Sequence, residues 1–307
     1  MKALFWLVFI VVIGCAAELL VGPAGFGWPR DSFIAWELRL PRLLVALGAG
    51  SGLAACGLLL QVLLRNPLAS PYTLGVGSAS ALGASLVMVL LPSFNLGAGA
   101  WLGALAATAL VLLLRRRAGL SSEALVLSGI AVSLCCAAGV LLLHYLADRA
   151  TSAAMLRWTM GGLATVGLRE GLLGLLPTAI GALWLLTCLP QLNLLQFGDD
   201  WAQTRGVAVE PLKKTVLVVV ALWTGSIVAQ CGPISFVGLI APHMARRAFG
   251  DDLRQMAPAA MLVGAGLLAT CDAAARIIMS PAELPVGVLT ALLGGPAFLL
   301  LLLLRRP

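Results

Sequence analysis

The chain has 307 residues, of which 61% are hydrophobic and 11% charged, whereas soluble domains run near half apolar and a quarter charged. That balance excludes an ordinary soluble enzyme and points to an integral membrane protein. The formal net charge of +7 would suit a nucleic acid, yet the basic residues cluster at the ends of apolar runs, where membrane topology puts them.

Ten apolar windows fall near residues 3–21, 43–64, 72–91, 96–114, 124–146, 171–189, 214–230, 234–248, 257–275 and 285–304. Most have the length of a membrane-crossing helix; the eighth is short and interrupted. The expected fold is an all-α polytopic membrane protein of about ten transmembrane helices, several short or broken by Gly or Pro. It forms a single domain over 1–307, with no appended soluble domain. Lys2 ahead of the first window could open a signal peptide, but the run continues to about Val21 and no soluble sequence follows. A retained first helix is therefore expected.

Between the first two windows lies a polar segment, Gly22 to Arg42, whose Trp28 and Trp36 suit a membrane interface. The second window carries Gly48, Gly50, Gly52, Ala54, Ala55 and Gly57, small residues that admit a neighbouring helix backbone. Gln61 is the one polar side chain near its far end, and in apolar surroundings it needs a partner. Gly75-x-Gly77 reads as a helix start rather than a nucleotide loop, because no strand–helix–strand pattern surrounds it. No GxxxxGK[ST] occurs, so any ATP chemistry belongs to a partner. Ser121 and Ser122 precede the fifth window as helix caps would.

A second polar segment, Gln191 to Lys214, reads as one or two short helices broken at Gly198, Gly206 and Pro211. Seven cysteines show no CxxC spacing and suit buried thiols. His144 and His243 are isolated, so no metal site and no cofactor is expected. Asp272 is the one carboxylate well inside an apolar window. It would be the first suspect in an ion-driven carrier, although Arg276, one helical turn on, is a natural partner.

Orientation follows from the basic residues. With the N-terminus in the cytoplasm, thirteen lie inside (Lys2, Arg65, Arg115–Arg117, Arg205, Lys213, Lys214, Arg246, Arg247, Arg254, Arg305, Arg306) and seven outside (Arg30, Arg39, Arg42, Arg149, Arg157, Arg169, Arg276). That bias predicts both termini inside and an even helix count.

Three stretches carry a family resemblance: RLPRLLVALGAGSGLAACGLLLQVLLRNPLASPYTLGVG (Arg39 to Gly77), GPISFVGLIAPHMARRAFGDD (Gly232 to Asp252) and CDAAARIIMSPAELPVGVLTALLGGPAF (Cys271 to Phe298). In order and spacing the chain resembles the FecCD-type permease subunits of ATP-binding-cassette (ABC) importers for ferric siderophores, haem and cobalamin. The resemblance implies a type II importer permease in the cell (inner) membrane, working as a homodimer with the path between two copies. Its implied partners are two ATP-binding cassette ATPase subunits and a soluble or lipid-anchored substrate-binding protein, with membrane lipid around it and no nucleic acid. The chain itself would catalyse no covalent step.

Residue by residue, the resemblance makes 191–214 the coupling loop, with Asp199, Ala202 and Gly206 as its acid–Ala–Gly pattern. It sets Arg39, Arg42 and Arg276 against glutamates of the binding protein, since guanidinium forks bond both carboxylate oxygens. It puts Ser121 and Ser122 at the cytoplasmic gate. Ferric chelate is the implied cargo, haem or cobalamin the alternatives, and an ion-gradient-driven secondary transporter the distant rival.

Overall fold

Each of the ten apolar windows is a helix in the computed structural model, which describes residues 2–22, 25–29, 31–118, 122–280 and 282–303. In chain order these helices are α1 (Lys2–Leu20), α2 (Leu40–Leu64), α3 (Val76–Leu90), α4 (Leu96–Ala118), α5 (Ser122–Leu146), α6 (Arg149–Thr159), α7 (Leu168–Leu195), α8 (Asp199–Thr204), α9 (Val209–Cys231), α10 (Val237–Phe249), α11 (Leu253–Ile278) and α12 (Val286–Leu303). Short α6 and α8 lie between the apolar ones. Six helices are long and apolar enough to cross a membrane: α2 with its lead-in, α4, α5, α7, α9 and α11. The chain is thus a multi-pass membrane protein. A two-residue hairpin, β1 (Val21–Gly22) against β2 (Gly25–Phe26), follows α1.

The polar segment from Gly22 to Arg42 is helical from Ser32 onward. A π-helical stretch, Ile34–Arg39, runs straight into α2, and Asp31 accepts the Phe33 N–H at 2.9 Å. Trp28 and Trp36 are 61% and 57% exposed, as an interfacial position requires. Pro211 also differs from expectation. It breaks nothing, because it sits in the first turn of α9, where a helix leaves its N–H groups unpaired in any case.

α2 is the axis of the bundle, buried nearly throughout and packed against α7, α9, α10 and α11. Its glycines make this possible. A Cβ on Gly50 would overlap the Gly264 carbonyl of α11, and one on Gly57 would overlap the Gly238 carbonyl of α10. Without a hydrophobic drive between helices in lipid, such close backbone packing supplies much of the cohesion. Gly57→Val should therefore cost about 3 kcal/mol, the top of the overpacking range. Thermal unfolding in detergent checks it against Gly162→Ala, where an added Cβ meets nothing within 4 Å.

Polar groups inside the bundle are tied locally. Thr178 on α7 donates to the Gly48 carbonyl at 2.7 Å and accepts the Trp223 indole N–H at 3.1 Å, linking α7, α2 and α9. Among the described residues Gln61 finds a long contact, 3.5 Å from its Nε2 to the Leu239 carbonyl. The Arg65-Asn66-Pro67-Leu68-Ala69 motif is a helix stop. Arg65 takes a left-handed conformation at the C-cap of α2, the Leu68 N–H bonds Asn66 Oδ1 at 2.9 Å, and Ala69 is fully buried.

α9 and α10 are separated by an unwound turn, Gly232 to Phe236. Its Ile234 N–H donates to the Tyr72 hydroxyl at 2.6 Å, and Phe236 carries a positive φ of 67°. Outside the spans, N–H groups of Thr151 and Ala150 hold the Asp148 carboxyl below its usual range and start α6.

Candidate coupling and docking surfaces

At one end of the bundle, α8 projects between α7 and α9 as a compact knob. Gly198 and Gly206 frame it, both at positive φ (129° and 82°). The turn at Gly206 is closed by its own N–H to the Gln203 carbonyl at 2.9 Å and by the Val207 N–H to the Ala202 carbonyl at 3.0 Å. Ala202 has no exposed surface. It packs the knob onto the bundle, and a larger side chain has no room there. Asp199 pairs with Lys213 of α9, and that lysine is 7% exposed.

The acid–Ala–Gly residues thus hold the knob in place, while the surface it offers outward comes from their neighbours. Trp201 is 49% exposed with the Arg205 guanidinium 4.6 Å from its ring centroid, and Phe197 is 68% exposed. Neither the aromatic surface nor the Lys213 pairing follows from the acid–Ala–Gly pattern alone. Two aromatics within five residues of a polar segment, Phe197 just before α8 and Trp201 on it, were the available signal.

At the opposite end, the three arginines expected to dock a binding protein fall close together, but with partners inside the chain. Arg42 forks onto Asp272, Nε to Oδ2 at 2.6 Å and Nη2 to Oδ1 at 3.0 Å, and its Nη1 meets Glu283 Oε2 at 2.7 Å. Arg276 is 3% exposed and is enclosed by Glu18 and Asp272, with the Val21 carbonyl 2.9 Å from its Nη1. Arg39 donates to the Gly27 carbonyl at 3.0 Å and to that of Leu19.

Three carboxylates therefore face the two guanidiniums of Arg42 and Arg276, tying α1, α2, α11 and the segment before α12 into one cluster. Arg276 has no surface to offer a partner in this arrangement. Asp272, flagged as the suspect of an ion-driven carrier, is a paired carboxylate rather than a free one, as its spacing to Arg276 suggested.

Ser121, like Arg30, Arg305 and Arg306, lies outside the described residues. Ser122 is the first residue of α5. α5 itself is the least enclosed span, with only 17% of its central window buried. Leu127, Leu134, Leu141 and Tyr145 project 67%, 67%, 69% and 86% exposed. Among the described residues no group of three or more His, Cys, Asp or Glu is placed to hold a metal ion.

The model of the FecCD transport family matches residues 3–305. The chain belongs to the FecCD transport family. Among its curated relatives, the hemin transport system permease protein HmuU of Yersinia pestis is 41% identical, across 88% of this chain and 83% of that one. The Fe(3+)-citrate import system permease protein YfmE of Bacillus subtilis is 38% identical across 88% and 82%, and the vitamin B12 import system permease protein BtuC of Escherichia coli 35% across 94% and 89%.

A solved chain described as an inward-facing conformation of a metal-chelate type ABC transporter superposes with a TM-score of 0.87 at 34% identity, covering 99% of both chains. PsaBC from Streptococcus pneumoniae, at 19% identity and a TM-score of 0.62 over 88% and 91%, shares the fold. The FecCD family is one of membrane permeases of ABC importers, so this member is a transport subunit, and the expected helical importer architecture holds.

Proposed function

We propose that the chain is the membrane-spanning permease of a binding-protein-dependent ABC importer. It works as a homodimer that forms the path for a ferric siderophore or related metal chelate. The observation that carries the reading is the knob: a short helix with exposed Trp201, and exposed Phe197 in the turn just before it, at the bundle end rich in cationic residues. Exposed aromatic anchors beside an arginine are the usual composition of an interface hot spot. The partner seated there is an ATPase subunit, one on each copy, and that end faces the cytoplasm together with both termini.

In this reading, ATP binding draws the two ATPases together and moves the knobs. Each permease then shifts between outward- and inward-facing packings, because the nucleotide-bound ATPase pair has a higher affinity for one of them. The open face of α5 meets the second copy and the path, with Ser121 and Ser122 at its cytoplasmic gate. A soluble or lipid-anchored binding protein delivers cargo at the opposite end. Arg39 and Arg42 are the proposed docking residues there, steering more than tightening. Arg276 contributes only by holding Asp272 and Glu18 beneath them.

Haem or cobalamin is the second reading of the cargo, favoured by the identities to the haemin and vitamin B12 permeases. Uptake into vesicles holding this chain with its ATPase and binding protein tests both, using a ferric siderophore, haem and cobalamin with and without lumenal ATP. ATP-dependent accumulation of one compound supports the importer and names its cargo; uptake that follows an ion gradient and ignores ATP overturns it. Trp201→Ala is expected to weaken ATPase binding by about 2 kcal/mol, the hot-spot threshold, read from co-purification across a dilution series.

A further inference from the structure

Beside the knob, at the same end of the bundle, lies a polar cavity of about 280 Å3 formed by the last turns of α2, α7 and α10 and the segments that follow them. Two guanidiniums line it. Arg65 is exposed and has no ion pair among the described residues, while Arg246 meets Asp251 Oδ1 through Nε at 3.1 Å. Two positive groups against one carboxylate leave the cavity with a net charge of +1. Gln61, Asn66 and Gln196 add polar side chains, and Phe197 closes one wall.

Arg65 holds its place at a cost. It occupies a left-handed backbone position (φ 48°, ψ 37°) that helix ends normally give to Gly or Asn. Glycine there would be easier for the fold, so the guanidinium is the feature that the strain preserves. The cavity is also continuous with the knob: a Cβ on Gly198 would stand 3.6 Å from Arg65 Nη1, and Gln196 and Phe197 lead directly into α8.

We infer that this cavity is a socket for a carboxylate of the ATPase partner, an Asp or Glu side chain seated between Arg65 and Arg246 while the knob is engaged. The inference rests on the coupling reading of α8. A planar guanidinium with a free edge suits a carboxylate, which it can bond through both oxygens. Two anchor points, knob and socket, would transmit rotation of the ATPase as well as translation, which a single knob cannot do.

The test uses the assembled permease–ATPase complex in liposomes. Arg65→Gln is expected to weaken ATPase binding roughly tenfold, the scale of one lost charge-assisted contact. Arg65→Gly is expected to do the same without lowering the melting temperature of the permease. In the Arg65→Lys complex, a carbodiimide activates a neighbouring carboxylate, and the amine at position 65 displaces the urea to leave an amide bond. Mass spectrometry is expected to find that bond to an ATPase Asp or Glu.

A cross-link to Asp251 alone, or unchanged ATPase binding in both Arg65→Gln and Arg65→Gly, overturns the socket. So does an Arg65→Gln effect present with phosphatidylglycerol and absent in pure phosphatidylcholine, which would identify a lipid phosphate as the occupant. Trp201→Ala separates the two readings. If it leaves assembly intact, the coupling role of α8 fails; if it detaches the ATPase while Arg65→Gln does not, only the socket fails.

Discussion

Arg276→Ala is expected to destabilise the permease by about 3–5 kcal/mol, the cost of stripping one partner from a buried ion pair. Glu18 has no exposed surface, and the side chain of Asp272 is 1% exposed. With Arg276 gone, the cluster would hold three carboxylates against Arg42 alone, two of them fully buried. Thermal unfolding in detergent measures the loss.

The companion variant decides the cause. Adding Glu18→Gln to Arg276→Ala removes the stranded charge and should recover a large part of the deficit, since two residues in one network do not act additively. Equal melting temperatures for the single and double variants would show that Arg276 acts by packing rather than by pairing. The same variants bear on transport. A cluster that joins α1, α2 and α11 makes their ends at that side move as one body, so uptake should fall with stability and not before it.

Gly206→Val is expected to leave the spanning bundle folded while separating ATP hydrolysis from uptake. Gly206 holds φ at 82° in the turn behind α8, where an L residue costs about 1–2 kcal/mol and a β-branched one is a genuine outlier. Space is not the obstacle, because an added Cβ meets nothing within 4 Å. The backbone is. Relaxing it would release the Val207 N–H from the Ala202 carbonyl and turn Trp201 away from its partner.

Gly206→Asn is the control, because Asn tolerates the left-handed region. It should retain most coupling. Hydrolysis and uptake assayed together in vesicles would show the valine variant losing accumulation, with the asparagine variant near the parent. If the two behave alike, the turn at Gly206 has no part in coupling.

Much of this was legible in one sequence, for identifiable reasons. Apolar windows marked all ten bundle helices because lipid and a crowded helical interior make the same demand on side chains. Gly50 and Gly57 announced the close approach of α2 to its neighbours, although the identity of those neighbours came only from the fold. The knob was framed correctly at Gly198 and Gly206, since positive φ is written in glycine. Pro211 misled because proline marks a helix start as readily as a break.

The arginines at the end away from α8 show where local reading stops. Arg39, Arg42 and Arg276 look alike in sequence, as basic residues at helix ends. Which of them has free donors depends on Glu18, Asp272 and Glu283, brought together from three separate helices or turns. Only the i to i+4 pair of Asp272 and Arg276 was local enough to anticipate.

By itself, then, the sequence determined the membrane class, the ten apolar helices, the family and the glycine-framed segment that becomes α8, because hydropathy, glycine and turn chemistry act over a few residues. The tertiary structure decided what those pieces face. It gave Arg276 to a buried cluster, Asp199 to Lys213, and Arg65 to an open cationic cavity. Charge pairing acts across space between segments up to 258 residues apart, and no local pattern records such a distance.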